Sequence, residues 1–380
     1  MNTVAHPRHL SAHVVQAART GAVLTIDLDA IAANYRLLAE RAPGAVVAGV
    51  MKADAYGLGM AQVAPTLARA GCRVFFTAHV EEGMRLRGIV PAESTIYVLH
   101  GPPPGTAADF IAHGLVPVLN DPGQVREWSA ACAHAGRRLA AAVQVDSGMS
   151  RMGLSPADLA ALGDPRDWLA AFEPVLLMSH LACADVPDHP MNTRQRHRFD
   201  AIRAAFPPLP ASLANSSAVF LGPDFRHDLV RPGAALYGIN PQPGHENPLR
   251  QAVSLDARIV QVRTVEAGDA VGYGARYVAD GTRRIATIAV GYADGWLRAL
   301  SGRGSAFIDG VRVPIAGTVS MDSITLDVTG IPDARLQPGM TVELLGAHQQ
   351  VDTVAAEAGT IGYEVLTRLG ARFERRYVGG

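Results

Sequence analysis

Between about residue 45 and residue 238 the chain alternates short apolar runs with helical segments, and this alternation restricts the fold more than any other feature. Continuous apolar runs separated by amphipathic helices are typical of a parallel sheet covered by helices. Eight such units over roughly 200 residues predict a (β/α)₈, TIM-like barrel and hence an α/β fold. The runs are Val46–Met51, Val74–Ala78, Thr95–Leu99, Leu115–Leu119, Ala141–Val145, Val175–Met178, Ala211–Ala214 and Asp228–Val230.

Polar or charged residues end most of these runs. In a barrel the carboxyl ends of the strands converge on the face where substrates bind. Ordinary polar turns explain His79, His100 and Asn120 well. They explain Lys52, His180 and Arg231 less well, because each of these stands beside other unusual residues. The residues at the ends are Lys52, His79, His100, Asn120, Asp146, His180, Asn215 with Ser216, and Arg231.

After residue 250 the pattern changes to β-rich runs separated by Gly, Pro and Asp. Asp309-Gly310, between two of these runs, is a strong local signal for a hairpin. We therefore expect a barrel over residues 28–244 and a mostly antiparallel β-domain over residues 245–380. The N-terminal segment 1–27 is expected to add a strand to that second domain.

Charge and cysteine content exclude several classes of protein. The formal net charge of -1 gives no basic field for nucleic acid or an anionic membrane. No apolar stretch is long enough to span a membrane, and the first twenty residues, expected to form a loose leader or short helix, do not resemble a signal peptide. Cys72, Cys132 and Cys183 form neither a disulfide framework nor a CxxC metal site. These features predict a soluble cytoplasmic protein without a metal.

Lysine occurs only at Lys52, although the chain has 34 lysine and arginine residues. Arginine cannot form a Schiff base because its guanidinium stays protonated. A lysine amine can do so once burial or nearby charges deprotonate it. Lys52, at the end of an apolar run, is therefore a candidate covalent catalyst.

Nine short motifs occur in an order that resembles alanine racemase, a pyridoxal-phosphate enzyme family whose fold pairs a barrel with a β-domain. The resemblance extends from about Leu24 to Tyr377. The motifs are Ala48–Gly59 (AGVMKADAYGLG), Val145–Gly153 (VDSGMSRMG), Ser179–Asp185 (SHLACAD), Ala214–Ser217 (ANSS), Arg231–Gly238 (RPGAALYG), Val271–Gly274 (VGYG), Val290–Gly295 (VGYADG), Ser320–Asp322 (SMD) and Gly362–Val365 (GYEV).

The resemblance implies a two-base mechanism on a pyridoxal-phosphate aldimine. Lys52 would hold the cofactor and serve as one base, and Tyr273 of a partner subunit would serve as the other. A phenol titrates near pH 10, so a phenolate base needs donors and positive charge nearby. The family's candidates for this support are His180 and, behind it, Arg231, which faces the pyridine nitrogen in place of the usual carboxylate.

The remaining site residues also follow from the resemblance. The cofactor phosphate would be bound by Tyr56, Ser216, Gly233 and Tyr363, and Asn215 would be a further cofactor-binding residue. The substrate carboxylate would meet the Arg151 guanidinium, which suits bidentate binding, and the backbone of Met321. Tyr292 would narrow the entrance, and Asp322 is expected to be structural.

The sequence departs from the family pattern in three places, which comprise four residues. Gln144 replaces a lysine that many members carry as a carbamate, and we expect its amide oxygen to accept a hydrogen bond from Arg151 without any need for dissolved CO₂. Ser150 replaces a glycine. Thr318 and Ser320 replace an arginine and a cysteine, which leaves the contacts near Met321 open.

The leading hypothesis is a homodimeric racemase that interconverts L- and D-alanine and supplies D-alanine for peptidoglycan. A broader racemase acting on serine, lysine or arginine is the main alternative. A non-catalytic carrier of pyridoxal phosphate would lack the β-domain and Tyr273. A decarboxylase of the same fold would keep the lysine but lack the VGYG and SMD motifs.

Overall fold

A computed structural model describes residues 19–380, which divide into two compact units. One unit combines the segment ending at Asp27 with Val253–Val378. The other contains Leu28–Ala252 and the last two residues. The leader or short helix expected for the first twenty residues lies almost entirely outside the described residues.

The barrel unit contains the eight predicted strands, the first of them in two parts. Strand β1 (Ala22–Asp27) precedes this unit and belongs to the other one. The barrel unit then comprises α1 (Leu28–Arg41), β2 (Val46–Val47), β3 (Gly49–Val50), α2 (Met60–Arg69), β4 (Val74–Thr77), α3 (Val80–Arg87), β5 (Thr95–Val98), α4 (Ala107–His113), β6 (Val116–Leu119), α5 (Pro122–His134), β7 (Ala140–Gln144), α6 (Pro156–Leu162), α7 (Pro165–Leu169), β8 (Glu173–Met178), α8 (Pro190–Ala205), β9 (Ala211–Ser212) and β10 (Leu229–Val230).

Backbone hydrogen bonds close these strands into a barrel. Strands β3 to β9 form a seven-stranded parallel sheet in chain order, and β10 pairs in parallel with β2. The Val46 N–H donates to the Asp228 carbonyl at 2.9 Å. On the other side the Arg231 N–H donates to the Ala214 carbonyl at 2.9 Å. The predicted (β/α)₈ fold is therefore confirmed, and the strands are apolar on both faces because helices cover the sheet.

Several barrel helices begin directly after a strand or loop because their first residues supply strong start signals. Four of them have proline in the first turn, where its missing N–H costs nothing and its fixed φ suits the helix. In each case the preceding side chain accepts a hydrogen bond from a free backbone N–H of the first turn. The capping residues are Asp121, Ser155, Asp164 and His189.

The second unit is built on a largely antiparallel eight-stranded sheet, as the sequence predicts. After β1, its elements are β11 (Val253–Val265), β12 (Ala270–Val271), β13 (Tyr277–Val278), β14 (Arg283–Ile288), β15 (Ser305–Ile308), β16 (Val311–Pro314), β17 (Ile324–Asp327), β18 (Thr341–Leu345), α9 (Val351–Ala358), α10 (Gly362–Arg368) and β19 (Glu374–Val378). The pattern did not predict the two helices. The strand order of the sheet is β16-β15-β18-β11-β1-β19, and β14 pairs with β11 and β17. Strands β1 and β19 are parallel.

The predicted hairpin at Asp309-Gly310 is confirmed. Strands β15 and β16 pair antiparallel with Ile308 opposite Val311. Asp309 and Gly310 have φ values of 49° and 80°, which is the left-handed pair of conformations that a two-residue type I′ hairpin requires.

Among residues 19–380, no helix is both long and apolar enough to cross a membrane.

Candidate active site

Lys52 lies at the carboxyl end of the first barrel strand, directly after β3. Burial of its amine lowers the Lys52 pKa, and the charge of Arg151 lowers it further. Glu82 acts in the opposite direction, and Arg231 again lowers the pKa. The net result favours a neutral amine, which is the form that can attack a carbonyl or accept a proton.

The four residues after Lys52 form a left-handed turn. Ala53, Asp54, Ala55 and Tyr56 have φ values between 53° and 57°. For L-residues this conformation costs roughly 1–2 kcal/mol each, because Cβ approaches the following carbonyl oxygen. Within the turn, Asp54 Oδ1 accepts a hydrogen bond from the Met60 N–H at 2.8 Å. Such accumulated strain at a strand end indicates a site that the surrounding structure holds in place.

His180 and Arg231 contact one another in the barrel. One Arg231 Nη lies 3.2 Å from His180 Nδ1. Because a guanidinium can only donate, Nδ1 must accept, which assigns the imidazole proton to Nε2. Burial, with the charges of Arg231, Arg151 and Lys52, lowers the His180 pKa to about 3. His180 is therefore a neutral imidazole with an Nε2–H available for donation.

Arg231 is buried, and groups in β9 and directly after β8 satisfy its guanidinium. One nitrogen donates to the Ser212 hydroxyl, and the other donates to the Ser179 carbonyl at 2.6 Å. Gln195 of α8 in turn donates to the His180 carbonyl at 2.9 Å. Sequence reasoning missed Ser212 and Gln195, because nothing in their local sequence indicates a partner so distant in the chain.

Hydroxyl and N–H groups converge near the end of the barrel sheet. Ser216 Oγ accepts hydrogen bonds from the N–H groups of Gly233 and Ala235, at 2.9 and 3.2 Å. The Tyr56 hydroxyl approaches Gly233 so closely that a Cβ there would collide with it. Asn215 forms a parallel bridge with Arg231. This cradle, with no acidic side chain among its members, fits the phosphate of pyridoxal phosphate, as Lys52 fits its aldehyde.

The Arg151 loop is shaped by Asp146. Its Oδ1 accepts hydrogen bonds from the N–H groups of Gly148, Met149 and Ser150, at 2.8 to 3.1 Å. Ser150 has a φ of 56°, a left-handed conformation that suits the glycine usual in the family pattern. Arg151 itself is exposed and available to a ligand.

Gln144 does not form the hydrogen bond expected from the sequence. Its side chain is buried, and its backbone carbonyl accepts from the Leu154 N–H at 2.8 Å. Within the described part of the chain, its amide oxygen accepts no hydrogen bond from Arg151. The Gln144 side chain is buried, whereas Arg151 is exposed and its charge acts on Lys52 and His180 instead. Absence of a carbamate on this chain remains a prediction.

In the second unit, three loops carry Tyr273, Tyr292 and Met321 close to one another. The Tyr273 carbonyl accepts a hydrogen bond from the Thr318 hydroxyl at 3.0 Å. The Tyr292 N–H donates to the Ser320 carbonyl at 3.0 Å. Tyr273 is 75% exposed, and Met321 53%, so both side chains face outward from this unit. Thr318 and Ser320, two of the residues that depart from the family pattern, thus take part in assembling these loops.

Arg372 links two of these loops and was not found from the sequence. It contacts Asp294 at 3.0 Å and Asp322 at 2.7 Å. Asp294, in turn, accepts a hydrogen bond from the Gly291 N–H at 2.8 Å. The structural part expected of Asp322 is therefore observed. Tyr363 lies near the beginning of α10 and is partly exposed.

Comparisons with known proteins agree over nearly the whole chain. The family model described as "Alanine racemase, N-terminal domain" matches residues 26–241, and "Alanine racemase, C-terminal domain" matches residues 252–377. A Mesorhizobium japonicum protein named "Alanine racemase, catabolic" is 53% identical over 96% of both chains. An alanine racemase of Rhodospirillum rubrum is 51% identical over 95% of this chain and 97% of its own.

Solved structures show the same similarity. Alanine racemase from Bartonella henselae, with covalently bound pyridoxal phosphate, has a TM-score of 0.91 and 40% identity, covering 94% of this chain and 99% of its own. Alanine racemase from Streptomyces coelicolor A3(2) has a TM-score of 0.90 and 34% identity, covering 96% of this chain and 99% of its own.

Proposed function

Since this chain belongs to the alanine racemase family and is a pyridoxal-phosphate enzyme of that class, we propose that it racemises alanine with two bases, Lys52 and Tyr273. One base removes the α-proton from one face of the α-carbon, and the other returns a proton to the opposite face. The observation that carries this proposal is the grouping of Lys52, His180 and Arg231 at the carboxyl ends of the barrel strands. When bound, the cofactor withdraws electrons from the α-carbon and so weakens its C–H bond.

Lys52 would hold the cofactor, and its amine would move a proton on one face of the α-carbon. Its lowered pKa supports this role, because a base must be neutral to accept a proton. A single base cannot readily serve both faces. Tyr273 of the partner subunit is therefore the second base, and its high exposure within its own unit leaves it free for this contact.

His180 supports Tyr273 by donating a hydrogen bond from Nε2–H to the phenolic oxygen, which favours the phenolate. Arg231 lies behind His180 and adds positive charge without supplying a second proton. The Arg231 guanidinium would also hold the pyridine nitrogen of the cofactor. Because a guanidinium can only donate, it would favour an unprotonated nitrogen and simple reprotonation over transamination.

Tyr56, Ser216, Gly233 and Tyr363 would bind the phosphate, and Asn215 would be a further cofactor-binding residue. The Arg151 guanidinium and the Met321 backbone would bind the substrate carboxylate, and Tyr292 would restrict the size of the side chain. The effect of the Arg151 charge on the pKa values of Lys52 and His180 supports its part in this assignment, because it indicates that the guanidinium is near both residues.

The test is to incubate the purified holoenzyme with L-alanine in D₂O and to measure chirality and α-deuterium in the same sample. We expect D-alanine that carries deuterium at the α-carbon. Exchange without inversion, or neither, would contradict the two-base proposal. Parallel reactions with L-serine, L-lysine and L-arginine test the broader racemase, which predicts comparable rates for at least one of them.

The physiological role has two candidates. Supply of D-alanine for peptidoglycan is the role expected from the sequence, whereas the names of relatives from Mesorhizobium japonicum and Agrobacterium fabrum favour a catabolic one. Deleting the gene distinguishes them: a requirement for D-alanine supports the first role, and loss of growth on alanine as carbon source supports the second. A homodimer and a cytoplasmic location are also part of the proposal; the three free cysteines support the location.

A further inference from the structure

Glu82, in the first turn of α3, joins two backbone segments beside Lys52. Its Oε1 accepts a hydrogen bond from the Ala53 N–H at 2.7 Å. Its Oε2 accepts from the N–H groups of Ala78 and His79, at 2.8 and 3.1 Å. Only 9% of Glu82 is exposed, so three backbone N–H groups, rather than water, stabilise its carboxylate.

The left-handed turn after Lys52 needs an external restraint of this kind. Ala53 is the first residue of the turn, and its methyl side chain offers no polar group that could stabilise the unusual backbone. Asp54 ties the later part of the turn to Met60. Glu82 ties the first part to the end of β4, which is the neighbouring barrel strand.

We propose that Glu82 is a positioning residue that fixes the direction of the Lys52 side chain by clamping Ala53 to the end of β4. This inference rests on the proposed function of Lys52 as the cofactor-binding base. It adds a residue that touches neither cofactor nor substrate and acts through the backbone of the turn.

Charge adds a second effect that is separate from positioning. The charged groups that act on the Lys52 amine are Arg151 and Arg231, which lower its pKa, and Glu82, which raises it. Loss of the Glu82 charge therefore lowers the pKa of the Lys52 nitrogen.

Two substitutions separate shape from charge. In Glu82→Gln the side chain keeps its length, but an amide has one acceptor end only, so either Ala53 or the Ala78 and His79 pair loses its acceptor. In Glu82→Asp the charge stays, but the chain is one methylene shorter and cannot span both segments. Glu81→Gln is the matched control, since Glu81 is an exposed neighbour in the same helical turn.

The experiment compares the three variants with the wild-type holoenzyme. For Glu82→Gln and Glu82→Asp we expect kcat for alanine to fall at least about tenfold with KM within about twofold, the pattern of a misplaced base. For Glu82→Gln we also expect the pH at which the visible absorption of the Lys52-bound cofactor changes to move to a lower value. Glu81→Gln should match the wild type in both measurements, and circular dichroism verifies folding.

The inference would be overturned if both Glu82 variants had the same kcat and the same absorption titration as the wild type. If Glu82→Gln does not fold, Glu82→Asp decides, because an unchanged kcat in that variant has the same meaning. If the wild type binds the cofactor on Lys52 but does not racemise alanine, the proposed function fails. The absorption titration and the rate of borohydride-reducible attachment to Lys52 then still test Glu82.

Discussion

His180 and Arg231 show how one buried contact fixes the protonation of two side chains. The guanidinium keeps its proton even when buried, so the imidazole must accept from it and remain neutral. A neutral His180 has a single N–H to offer, on Nε2. The same contact therefore keeps His180 uncharged and assigns its proton to Nε2, the atom proposed to donate to Tyr273.

This contact predicts a specific dependence of stability on pH. The His180 pKa is about 3 in the folded chain, against an ordinary value of 6.5. Between these values the unfolded chain binds a proton that the folded chain does not, so stability falls as the pH falls. From pH 7 to pH 5 the apoprotein of the wild type should lose more stability than His180→Asn, by at most about 1.4 kcal/mol per pH unit.

Urea unfolding of the two apoproteins at several pH values measures this difference. His134→Asn, a change at an exposed histidine, is the control and should keep the wild-type slope. Equal slopes for the wild type and His180→Asn would mean that His180 takes up its proton over the same pH range in the folded and unfolded chains, and that Arg231 does not hold it neutral.

At the scale of elements, the left-handed turn after Lys52 is the least expected feature of the barrel. Alanine favours the right-handed helix, yet Ala53 and Ala55 both adopt φ values near 55°. The hydrogen bonds of Glu82 and Asp54 restrain this turn from outside. The barrel thus stores backbone strain next to its only lysine.

Replacing Ala53 with glycine should relieve part of this strain. Glycine adopts positive φ without a steric penalty, so we expect Ala53→Gly to raise stability by about 1 kcal/mol. Ala160→Gly in α6 is the matched control, because Ala160 is also exposed but lies in a right-handed helix. That change should lower stability by roughly 0.5–1 kcal/mol.

Urea unfolding midpoints, compared with that of the wild type, show whether stability rises in Ala53→Gly and falls in Ala160→Gly. A loss of stability in both variants would show that Ala53 does not populate the left-handed conformation in solution.

At the scale of the whole molecule, the proposed mechanism requires two copies of the chain. The barrel supplies Lys52, His180 and Arg231, whereas Tyr273 belongs to the other compact unit. If Tyr273 acts on the partner's substrate, each active site combines residues from two chains.

Mixed dimers test this arrangement. A purified heterodimer of Lys52→Ala and Tyr273→Phe chains has one intact site in the shared-site arrangement, so we expect about half the wild-type kcat per dimer. The matched control pairs a wild-type chain with a chain that carries both substitutions. That heterodimer should be inactive, since each of its sites lacks one base. The opposite result, an active control and an inactive first heterodimer, would place both bases in one chain.

Much of the fold follows from local sequence patterns. The eight apolar runs predict the barrel strands because a strand buried on both faces needs continuous apolar residues. Asp309-Gly310 predicts its hairpin because few other residue pairs tolerate two left-handed conformations in succession. The ordered motifs likewise indicated the family and the candidate residues, Lys52 first among them.

Other features depend on groups that only the folded chain brings together. Nothing near Ala53 in the sequence predicts a left-handed turn, because its restraint is a carboxylate at position 82. The neutral state of His180 depends on Arg231, which is 51 residues further along the chain. The bond expected between Gln144 and Arg151 does not form, since Gln144 is buried and Arg151 is exposed. Sequence by itself determined the strands, the hairpin and the family. Tertiary structure decided the protonation of His180 and the conformation of the turn after Lys52, since both are set by neighbours distant in the chain.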